Sequence, residues 1–445
     1  MAHEAIDLWV DGRTPLFEQQ TPAQLNDLSN HFQESRQELL GACMKALVEK
    51  LYAGYLDQEW AGCPQCGKTL RRKRLDQKEL STLQGSFVIH RPYFYCPKCR
   101  HGFYPLDEAL ALAPEHHPYD IQQRITATAA QMPFAGSAEH FEDLTGIGVG
   151  NHFSHEILNA VGEAATLEVV IPEEQEIERR IIEATGPSGA PPVLVVAADG
   201  AMMPTRPKAA RKGKRGKGRY QEVKGFRLYL LDGEEKIIPV ASWHQVQDAE
   251  RFHQDLAVVA RRIDQSKVRI ALLGDGASWL WSAMVECFPD GRQILDFYHC
   301  AEHVHAVAQA QYGEGALGGQ QWAEATLIRL SMADVKTVLA GLCRMRPTNS
   351  EAQEEIRKLI GYLENNRHRI HYLSDLENGF PIGSGGIESA NKFICHTRMK
   401  RSGAWWLLAS GNAMLRIRCA IYNGTFNRVF ENYMKRQSPN RPLDK

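Results

Sequence analysis

From residue 193 onward, apolar runs alternate with amphipathic helical patterns and predict an α/β domain. The first run, VLVVAADG, is typical of a buried strand ending in Asp199, and four more strands are expected in VKGFRLYLL, KIIPVASW, KVRIALLGDG and RQILDFYH. A helix capped by Asp248 precedes the fourth strand, and another is predicted over 277–287. The apolar face of the first helix consists of Phe252, Leu256, Val259 and Ile263. The order β-β-β-α-β-α-β is typical of a ribonuclease-H-like mixed sheet.

Before residue 193 the pattern is mainly helical. Residues 1–60 predict helices with an apolar face: Leu25, Leu28, Leu39, Leu40 and Leu47. Residues 121–165 predict helices on either side of a glycine-bearing turn at 146–150, as in a helix-turn-helix, with Ser137 as an N-cap. The residues expected to face inward are Phe141, Leu144, Ile157, Leu158 and Val161, and those expected on the polar, DNA-reading face are Asn151, His152, Ser154 and His155. The alternative is a three-helix piece that does not contact DNA.

These patterns divide the chain into segments, with the linker TGPSGAPP as the clearest boundary. The predicted segments are a helical N-terminal segment (1–60), a cysteine-bearing ribbon (61–108), a helix-turn-helix-like region (109–185), the first part of the α/β core (191–312), a helical insertion (313–378), the second part of the core (379–430) and a C-terminal tail (431–445).

Composition narrows the class of protein. At 445 residues, with 43% hydrophobic and 24% charged residues, the chain is long enough for two to four folded domains, and wholesale disorder is excluded. The N-terminus lacks the pattern of a signal peptide, and no apolar run reaches membrane-spanning length. We therefore expect a cytoplasmic protein. The net charge of −1 hides three basic stretches, of +7 over 63–105 and +8 over both 193–231 and 379–445.

The first basic stretch contains two CxxC pairs. Cys63, Cys66, Cys96 and Cys99 have the spacing of two zinc knuckles, and four thiolates complete a closed tetrahedral site, so the expected Zn²⁺ is structural. The segment SFVIHRPYFYC suits a hairpin that carries the second knuckle. A redox CxxC pair is the alternative. Arg71, Arg72, Lys73 and Arg74 are predicted to contact DNA phosphates, unless they form an ordinary solvated turn.

Three acidic residues point to divalent-metal chemistry. Asp199 and Asp275 follow the first and fourth strands, and Glu388 lies in the first turn of a helix that begins near Ser384. Hard cations prefer oxygen ligands, and two Mg²⁺ (or Mn²⁺) ions activate a nucleophile and stabilise a leaving oxygen in phosphodiester chemistry. Each acid alone also fits an ordinary turn or a helix N-terminus.

Basic residues near these acids are expected to bind DNA. They are Lys212, Lys214, Arg215 and Lys217 after the first strand, and Arg398, Lys400 and Arg401 after the helix of Glu388. Trp405 and Trp406 follow directly, and such a pair either stacks on a base or, more commonly, packs in a core.

The motifs LLGDGASWLW, ILDFYHCAEHVH, PIGSGGIESANK and TRMKRSGAWW resemble bacterial insertion-sequence DDE transposases, most closely the ISKra-type branch and more distantly Mutator-like proteins. The zinc-ribbon segment ending in CPKCRHGFYPLDEAL is similar too. The resemblance implies the triad Asp199, Asp275 and Glu388 and an accessory [CD]xxH element. That element matches Asp296 to His299 and also Cys300 to His303. We favour Asp296 and His299, because Asp296 ends the fifth strand and could approach the metals; the alternative is a buried structural pair.

The resemblance also implies partners and an activity. These are binding of double-stranded DNA at terminal inverted repeats and at a target, and with it association with the nucleoid, metal-dependent 3′-end cleavage and strand transfer. A homodimer or higher oligomer is also implied, and the apolar face of residues 1–60 is expected to contribute to it. Two alternatives remain: a non-catalytic zinc-ribbon regulator derived from a transposase, and a ribonuclease-H-like structure-specific nuclease that cuts without joining.

Overall fold

The computed structural model describes residues 2–18, 24–114, 117–186, 189–207 and 216–437. Within them the chain forms two units. The first comprises Met1–Leu158 and Tyr433–Lys445, and the second comprises Asn159–Asn432. The second unit therefore interrupts the first in sequence.

The first unit contains helices and short sheets. Its helices are α1 (Ala2–Glu18), α2 (Leu25–Leu51), α3 (Ala53–Leu56), α4 (Pro105–Ala109), α5 (Tyr119–Ala129), α6 (Phe134–Thr145) and the start of α7 (Asn151–Ala164). Its strands are β1 (Trp60–Gly62), β2 (Thr69–Arg71), β3 (Arg74–Thr82), β4 (Gly85–Cys96) and β5 (His101–Phe103). All three strand pairs, β1 with β2, β3 with β4 and β4 with β5, are antiparallel.

Helix α2 packs closely on the hairpin of β3 and β4. Two glycines permit this approach, because a Cβ at Gly41 would lie 2.6 Å from the backbone oxygen of Ser86, and Gly85 has a φ of +119°. Val48 of α2, Ile89 of β4 and Leu106 of α4 form the buried cluster below. The predicted hairpin is therefore present and is fixed against the N-terminal helices.

The helices over 119–164 agree with the sequence pattern in part. The turn between α6 and α7 is present, and Gly146 ends α6 in the left-handed conformation at a φ of +73°. Helix α6, however, begins after Pro133, so Ser137 lies buried within it and donates to the oxygen of Phe134 instead of capping. Leu144 is 58% exposed, which contradicts its predicted inward position.

The face predicted to read DNA is also incomplete. Ser154 is buried and donates to the oxygen of Gly150, because it lies on the inner side of α7. His152 remains exposed beside Glu156, and His155 packs edge-on against Phe134. Binding of DNA by this helix stays a prediction.

The second unit is built around a five-stranded mixed sheet. Its strands are β6 (Val193–Thr205), β7 (Arg219–Leu231), β8 (Ile237–Gln245), β9 (Arg269–Gly274) and β10 (Arg292–Leu295), in the spatial order β10-β9-β6-β7-β8. Strands β6, β7 and β8 run antiparallel in turn, whereas β9 and β10 run parallel to β6. All five strands occur where the apolar runs predict them.

Helices surround this sheet. They are the end of α7, α8 (Leu167–Val170), α9 (Glu174–Thr185), α10 (Ala249–Ala260), α11 (Ser278–Cys287), α12 (Phe297–Tyr312), α13 (Leu317–Ser331), α14 (Val335–Arg344), α15 (Ser350–Asn366), α16 (Tyr372–Glu377), α17 (Gly385–Asn391), α18 (Thr397–Met399), α19 (Leu408–Asn423) and α20 (Phe426–Gln437, whose last turns belong to the first unit). A π-helical turn over Lys392–His396 joins α17 to α18. Asp248 caps α10 as predicted, accepting from the N–H of Arg251 at 2.8 Å.

The segment 313–378 is helical, as the pattern predicts, since α13 to α16 occupy it. In the described residues no helix has the length and apolarity required to cross a membrane.

Candidate active site and metal centre

The register of the sheet places two of the predicted acids side by side. Ala197 of β6 lies next to Leu273 of β9 in the parallel pairing. Asp199 and Asp275 each come two residues later, and residues i and i+2 of a strand share a face. The prediction that Asp199 ends its strand is wrong, because β6 continues to Thr205. It is the pairing with β9 that stops near Asp199, while the pairing with β7 goes on.

Asp199 is the most perturbed carboxyl group at this edge. Its Oδ1 accepts from the N–H of Gly200 at 2.6 Å, and its Oδ2 accepts from Nδ2 of Asn391 at 2.7 Å. Burial is the main cause that raises its pKa to about 6, and the negative charges of Asp275 and Glu388 raise it further. The three predicted acids are therefore within electrostatic reach of one another.

Glu388 is presented by the first turn of α17, as predicted. Its Oε1 accepts from the hydroxyl of Ser384 at 3.0 Å. The chain before α17 is attached to the sheet, because Phe297 donates its N–H to the oxygen of Ile382 at 2.9 Å and Arg227 donates to the oxygen of Gly386. These contacts hold an exposed carboxylate at a fixed place near the strand ends.

Asp296 directly follows β10, as predicted, and is buried. It is 1% exposed, and its two carboxylate oxygens accept from the N–H groups of His299 at 2.7 Å and Ser384 at 2.6 Å. It therefore caps α12 and ties this helix to the segment before Glu388. Both of its carboxylate oxygens are thus engaged by backbone N–H groups, and its predicted approach to a metal stays a prediction.

His299 and His303 differ in what they face. His299 has a 41% exposed side chain and is close enough to Asp199 for its positive form to lower the pKa of that acid. His303 packs on Tyr362, with ring centroids 4.4 Å apart, and Cys300 is buried beside Tyr372, where burial raises its thiol pKa to about 12. Of the two [CD]xxH matches, the first has the histidine whose charge affects the pKa of Asp199.

Two polar residues at this site have no clear signal in the sequence. Asn391 donates to Asp199 and accepts at Oδ1 from Nε2 of His244, 2.9 Å away. His244 is fully buried, and burial lowers its pKa to about 4, so the ring is neutral at pH 7. Because the amide nitrogen of Asn391 faces Asp199, its oxygen faces His244, and Nε2 of His244 must carry the hydrogen. The one hint in the sequence is that Asn391 lies three residues after Glu388.

The helical insertion reaches the same edge of the sheet. The hydroxyl of Tyr362 in α15 donates to the backbone oxygen of Asp275 at 2.9 Å. Gly276 follows with a φ of +108°, and a Cβ there would lie 3.0 Å from the Tyr362 ring. Helix α15 therefore supports the turn that presents Asp275.

The four predicted cysteines form one cluster in the first unit. Their sulfur atoms all lie within 4.8 Å of one another, and Sγ of Cys66 and Sγ of Cys96 are 3.7 Å apart. Tetrahedral zinc with bonds of about 2.3 Å requires sulfurs about 3.8 Å apart, so the donor set fits. The N–H of Cys99 lowers the pKa of Cys96 to about 7. The four cysteines are thus suited to hold a metal such as zinc.

The acids are less tightly gathered than the cysteines. In the described part of the chain, the cysteines are the one group of three or more ligating side chains whose atoms all lie within 4.8 Å. Asp199, Asp275 and Glu388 do not form such a group. Their mutual repulsion at Asp199 is nevertheless what a bound cation would relieve.

The predicted DNA-binding residues have different surroundings. Arg71, Lys73, Arg74, Lys217, Lys400 and Arg401 are exposed and Arg72 is half-buried, whereas Lys212, Lys214 and Arg215 lie outside the described residues. Arg74 is paired with Asp76 at 2.7 Å. Arg398 differs from the prediction, since it is 3% exposed and its guanidinium lies over the ring of Trp406 at 5.0 Å. It is buried because it follows the π-helical turn on the inner side of the helix.

Comparison with known proteins identifies one family. Its model, described as "Uncharacterised protein family (UPF0236)", matches residues 23–437. No curated protein matches the chain. Among solved structures the chain is similar to the Drosophila P element transposase strand transfer complex, at 12% identity and a TM-score of 0.25, over 72% of this chain and 82% of that one; so low a TM-score establishes no shared fold. The ISKra-type assignment gains no support from these matches. Because the family model spans most of its length, the chain belongs to the uncharacterised protein family UPF0236.

Proposed function

We propose that this protein is a DDE-type transposase that cleaves and joins DNA with divalent metal ions at Asp199, Asp275 and Glu388. The observation that carries the proposal is the position of Asp199 beside the end of β9, where burial raises its pKa and the negative charges of Asp275 and Glu388 raise it further. The strand order β10-β9-β6-β7-β8, with three antiparallel and two parallel strands, supports a ribonuclease-H-like core.

The residues around the acids fit this chemistry. When bound, two Mg²⁺ ions would favour deprotonation of the attacking hydroxyl and stabilise the leaving oxygen. Gly200 and Asn391 orient the carboxylate of Asp199, and Ser384 orients that of Glu388. His299, whose positive form lowers the pKa of Asp199, is the residue that we expect to hydrogen-bond a phosphate oxygen of the bound strand.

The reaction would proceed in two displacements at phosphorus. In the first, the oxygen of water bonds to phosphorus and the P–O3′ bond breaks, which frees a 3′-hydroxyl at the element end. In the second, that hydroxyl attacks a target phosphodiester, a new P–O3′ bond forms, and the old one breaks. Double-stranded DNA with terminal inverted repeats is the proposed substrate, and a dimer or higher oligomer would hold two ends together.

The test uses full-length protein and labelled inverted-repeat DNA from the ends of the element. With Mg²⁺ or Mn²⁺ we expect 3′-end nicking and joining, both reduced at least about a thousandfold in Asp199→Asn and Glu388→Gln, because catalysis is lost when the metal cage loses a charge. Asp290→Asn and Glu377→Gln, which alter exposed acids of the same unit, should retain activity.

The outcomes separate the alternatives. Cleavage without joining would indicate the structure-specific nuclease. Tight binding of the inverted repeats with no cleavage by the wild type would indicate the non-catalytic regulator. Full activity of either the Asp199→Asn or the Glu388→Gln variant would show that the acids are assigned wrongly.

A further inference from the structure

Two exposed aromatic rings meet at the far end of strand β6. Tyr220 is 60% exposed and Trp405 is 40% exposed, although both have large apolar rings. Their ring centroids are 5.9 Å apart and the rings are tilted by 59°. Exposed aromatic pairs are costly in water, and in nucleic-acid-binding proteins such rings serve as stacking surfaces for bases.

The pair is held on a rigid support. Trp406, the next residue, is 8% exposed and donates its indole N–H to the oxygen of Met399 at 3.1 Å. Its backbone extends the sheet, since Trp406 accepts from the N–H of Arg206 at 2.9 Å and donates to the oxygen of Pro204 at 3.1 Å. Burial of Trp406 therefore fixes Trp405 on the outside. Of the two interpretations of the tryptophan pair, core packing applies to Trp406 and not to Trp405.

The segments that carry the two rings are rich in positive charge. The described residues of 204–220 and 397–406 contain no acidic residue, and their cations are Arg206, Lys217, Arg219, Arg398, Lys400 and Arg401. All of these except Arg206 and Arg398 are exposed. Exposed rings among cations match a polyanion that carries flat bases, which is the chemistry of single-stranded nucleic acid.

Strand β6 connects this surface to the candidate active site. Beyond Asp199, β6 pairs with β7 as a two-stranded ribbon, which runs six further residues to Thr205 beside Trp406. At about 3.3 Å per residue the ribbon spans about 20 Å. A DNA strand advances about 3.4 Å per nucleotide, so about six nucleotides cover the same distance.

We propose that Tyr220 and Trp405 form a stacking platform for unpaired bases of the DNA strand, about six nucleotides from the phosphate that is cleaved. The proposal rests on the function proposed above, because it uses Asp199 to define the cleavage point. The platform would engage the strand once the duplex has opened, and the neighbouring cations would hold its phosphates.

Binding is measured in EDTA, so that catalysis plays no part. The probes are nicked duplexes with single-stranded tails of two, four, six or eight nucleotides at the cleavage point, labelled for fluorescence anisotropy. In the wild type we expect affinity to rise about tenfold once the tail reaches about six nucleotides. A 2-aminopurine at the sixth position should lose fluorescence on binding, as stacked 2-aminopurine does.

The variants separate stacking from folding and charge. Tyr220→Ala and Trp405→Ala should bind two-nucleotide tails as the wild type does. They should lose both the higher affinity for longer tails and the quenching of 2-aminopurine. Trp405→Phe should keep most of both effects. Tyr312→Ala removes another exposed ring, 42% exposed, and serves as the matched control. Lys217→Gln should weaken all tails and lower the salt dependence of binding by about 0.7 in slope.

The result can overturn the two proposals separately. If Tyr220→Ala and Trp405→Ala bind long tails as the wild type does, the platform is wrong, whether or not the protein cleaves DNA. If the tail-length effect depends on both rings but no metal supports cleavage, the platform stands and the proposed function fails. Absence of any affinity for DNA overturns both.

Discussion

The side-chain amide of Asn391 separates two ionisable groups that are 45 residues apart in sequence, Asp199 and His244, and meets each with a different atom. Its nitrogen donates to Asp199 and its oxygen accepts from His244. An amide turned the other way would place its oxygen against the carboxylate and its N–H against the donor of the ring. The neutral, buried His244 thus fixes the orientation of Asn391, and Asn391 fixes the rotamer of Asp199.

Replacing Asn391 should weaken metal binding as well as folding. Asn391→Ala leaves Asp199 without one donor and His244 without its acceptor, so we expect a loss of about 1–3 kcal/mol in stability. Loss of an outer-shell partner typically weakens metal affinity about 10- to 100-fold. Calorimetric titration of Mn²⁺ into the DNA-free protein measures this. Asn378→Ala, at an exposed amide, is the control, and equal Mn²⁺ affinity in wild type and Asn391→Ala would refute the positioning role.

His244 should make the protein sensitive to acid. Burial lowers its pKa to about 4, against about 6.5 in the unfolded chain. Between these values the unfolded chain binds a proton that the folded chain does not, so stability declines as the pH falls from about 6.5 to about 4. The decline attributable to this group is about 3 kcal/mol at most.

Urea unfolding at pH 7 and pH 4.5 tests this expectation. His244→Gln keeps a donor toward Asn391 and removes the titration, so its free energy of unfolding should fall less between the two pH values than that of the wild type. His152→Gln replaces an 85% exposed side chain and should follow the wild type. Identical declines in the wild type and His244→Gln would contradict the assignment.

At the scale of elements, the cysteine cluster joins two pairs of strands, β1 with β2 and β4 with β5. Apart from the cysteines, these pairs bury few apolar side chains. Strands β1 and β2 have three residues each, and the buried cluster around the sulfurs contains Ala61, Leu70 and Phe94 besides Cys63 and Cys96. Elements this short bury too little apolar surface to fold unaided. A bound metal would supply the missing stability.

Removal of the metal should therefore unfold this region first. We expect about one zinc ion per chain by elemental analysis, and almost none in Cys96→Ser, which also should become protease-sensitive between residues 60 and 103. Cys343→Ser changes an exposed cysteine of α14 and should retain its zinc. A wild-type protein purified without chelators that contains no zinc would disprove the site.

The sequence predicts these elements better than it predicts their contacts. Apolar runs locate all five strands of the large sheet, and the CxxC spacing identifies the four cysteines, because both signals are local. The contact between His244 and Asn391 joins residues 147 positions apart, and no periodicity encodes it. The prediction for Arg398 is wrong. Its position among other cations suggests an exposed side chain, but the π-helical turn before it rotates the side chain into the interior.

For the whole molecule, one side of α2 is a candidate interface between copies of the chain. Along this helix Leu25, Leu28, Phe32, Leu47 and Leu51 are all at least 42% exposed. At 100° per residue they fall within one sector of the helix, which includes the half-buried Leu39 and Leu40. Exposed apolar stripes of this kind are typical of oligomer interfaces, and the predicted oligomerisation through residues 1–60 remains a prediction.

Polar substitutions on this side should change the mass in solution. Leu28→Gln combined with Leu47→Gln should shift a dimer toward monomer at micromolar concentration, as measured by light scattering over a dilution series. Leu373→Gln with Leu376→Gln is a matched control, since these α16 leucines are 42% and 52% exposed, like Leu28 and Leu47. Equal masses for the two double variants would argue against the α2 interface.

The interrupted first unit also constrains how the protein is made. Tyr433 belongs to this unit, and its hydroxyl bonds Oε1 of Gln122 at 2.9 Å while its ring meets that of Tyr119. During translation, the ribosome must therefore finish the whole of Asn159–Asn432 before the first unit can acquire its last helix turns. A chain that stops early would carry Asp199, Asp275 and Glu388 but would leave the first unit unfinished. Dissection of this protein into separately expressed parts accordingly requires a circular permutation or a linker in place of the second unit, because a single cut cannot separate the two.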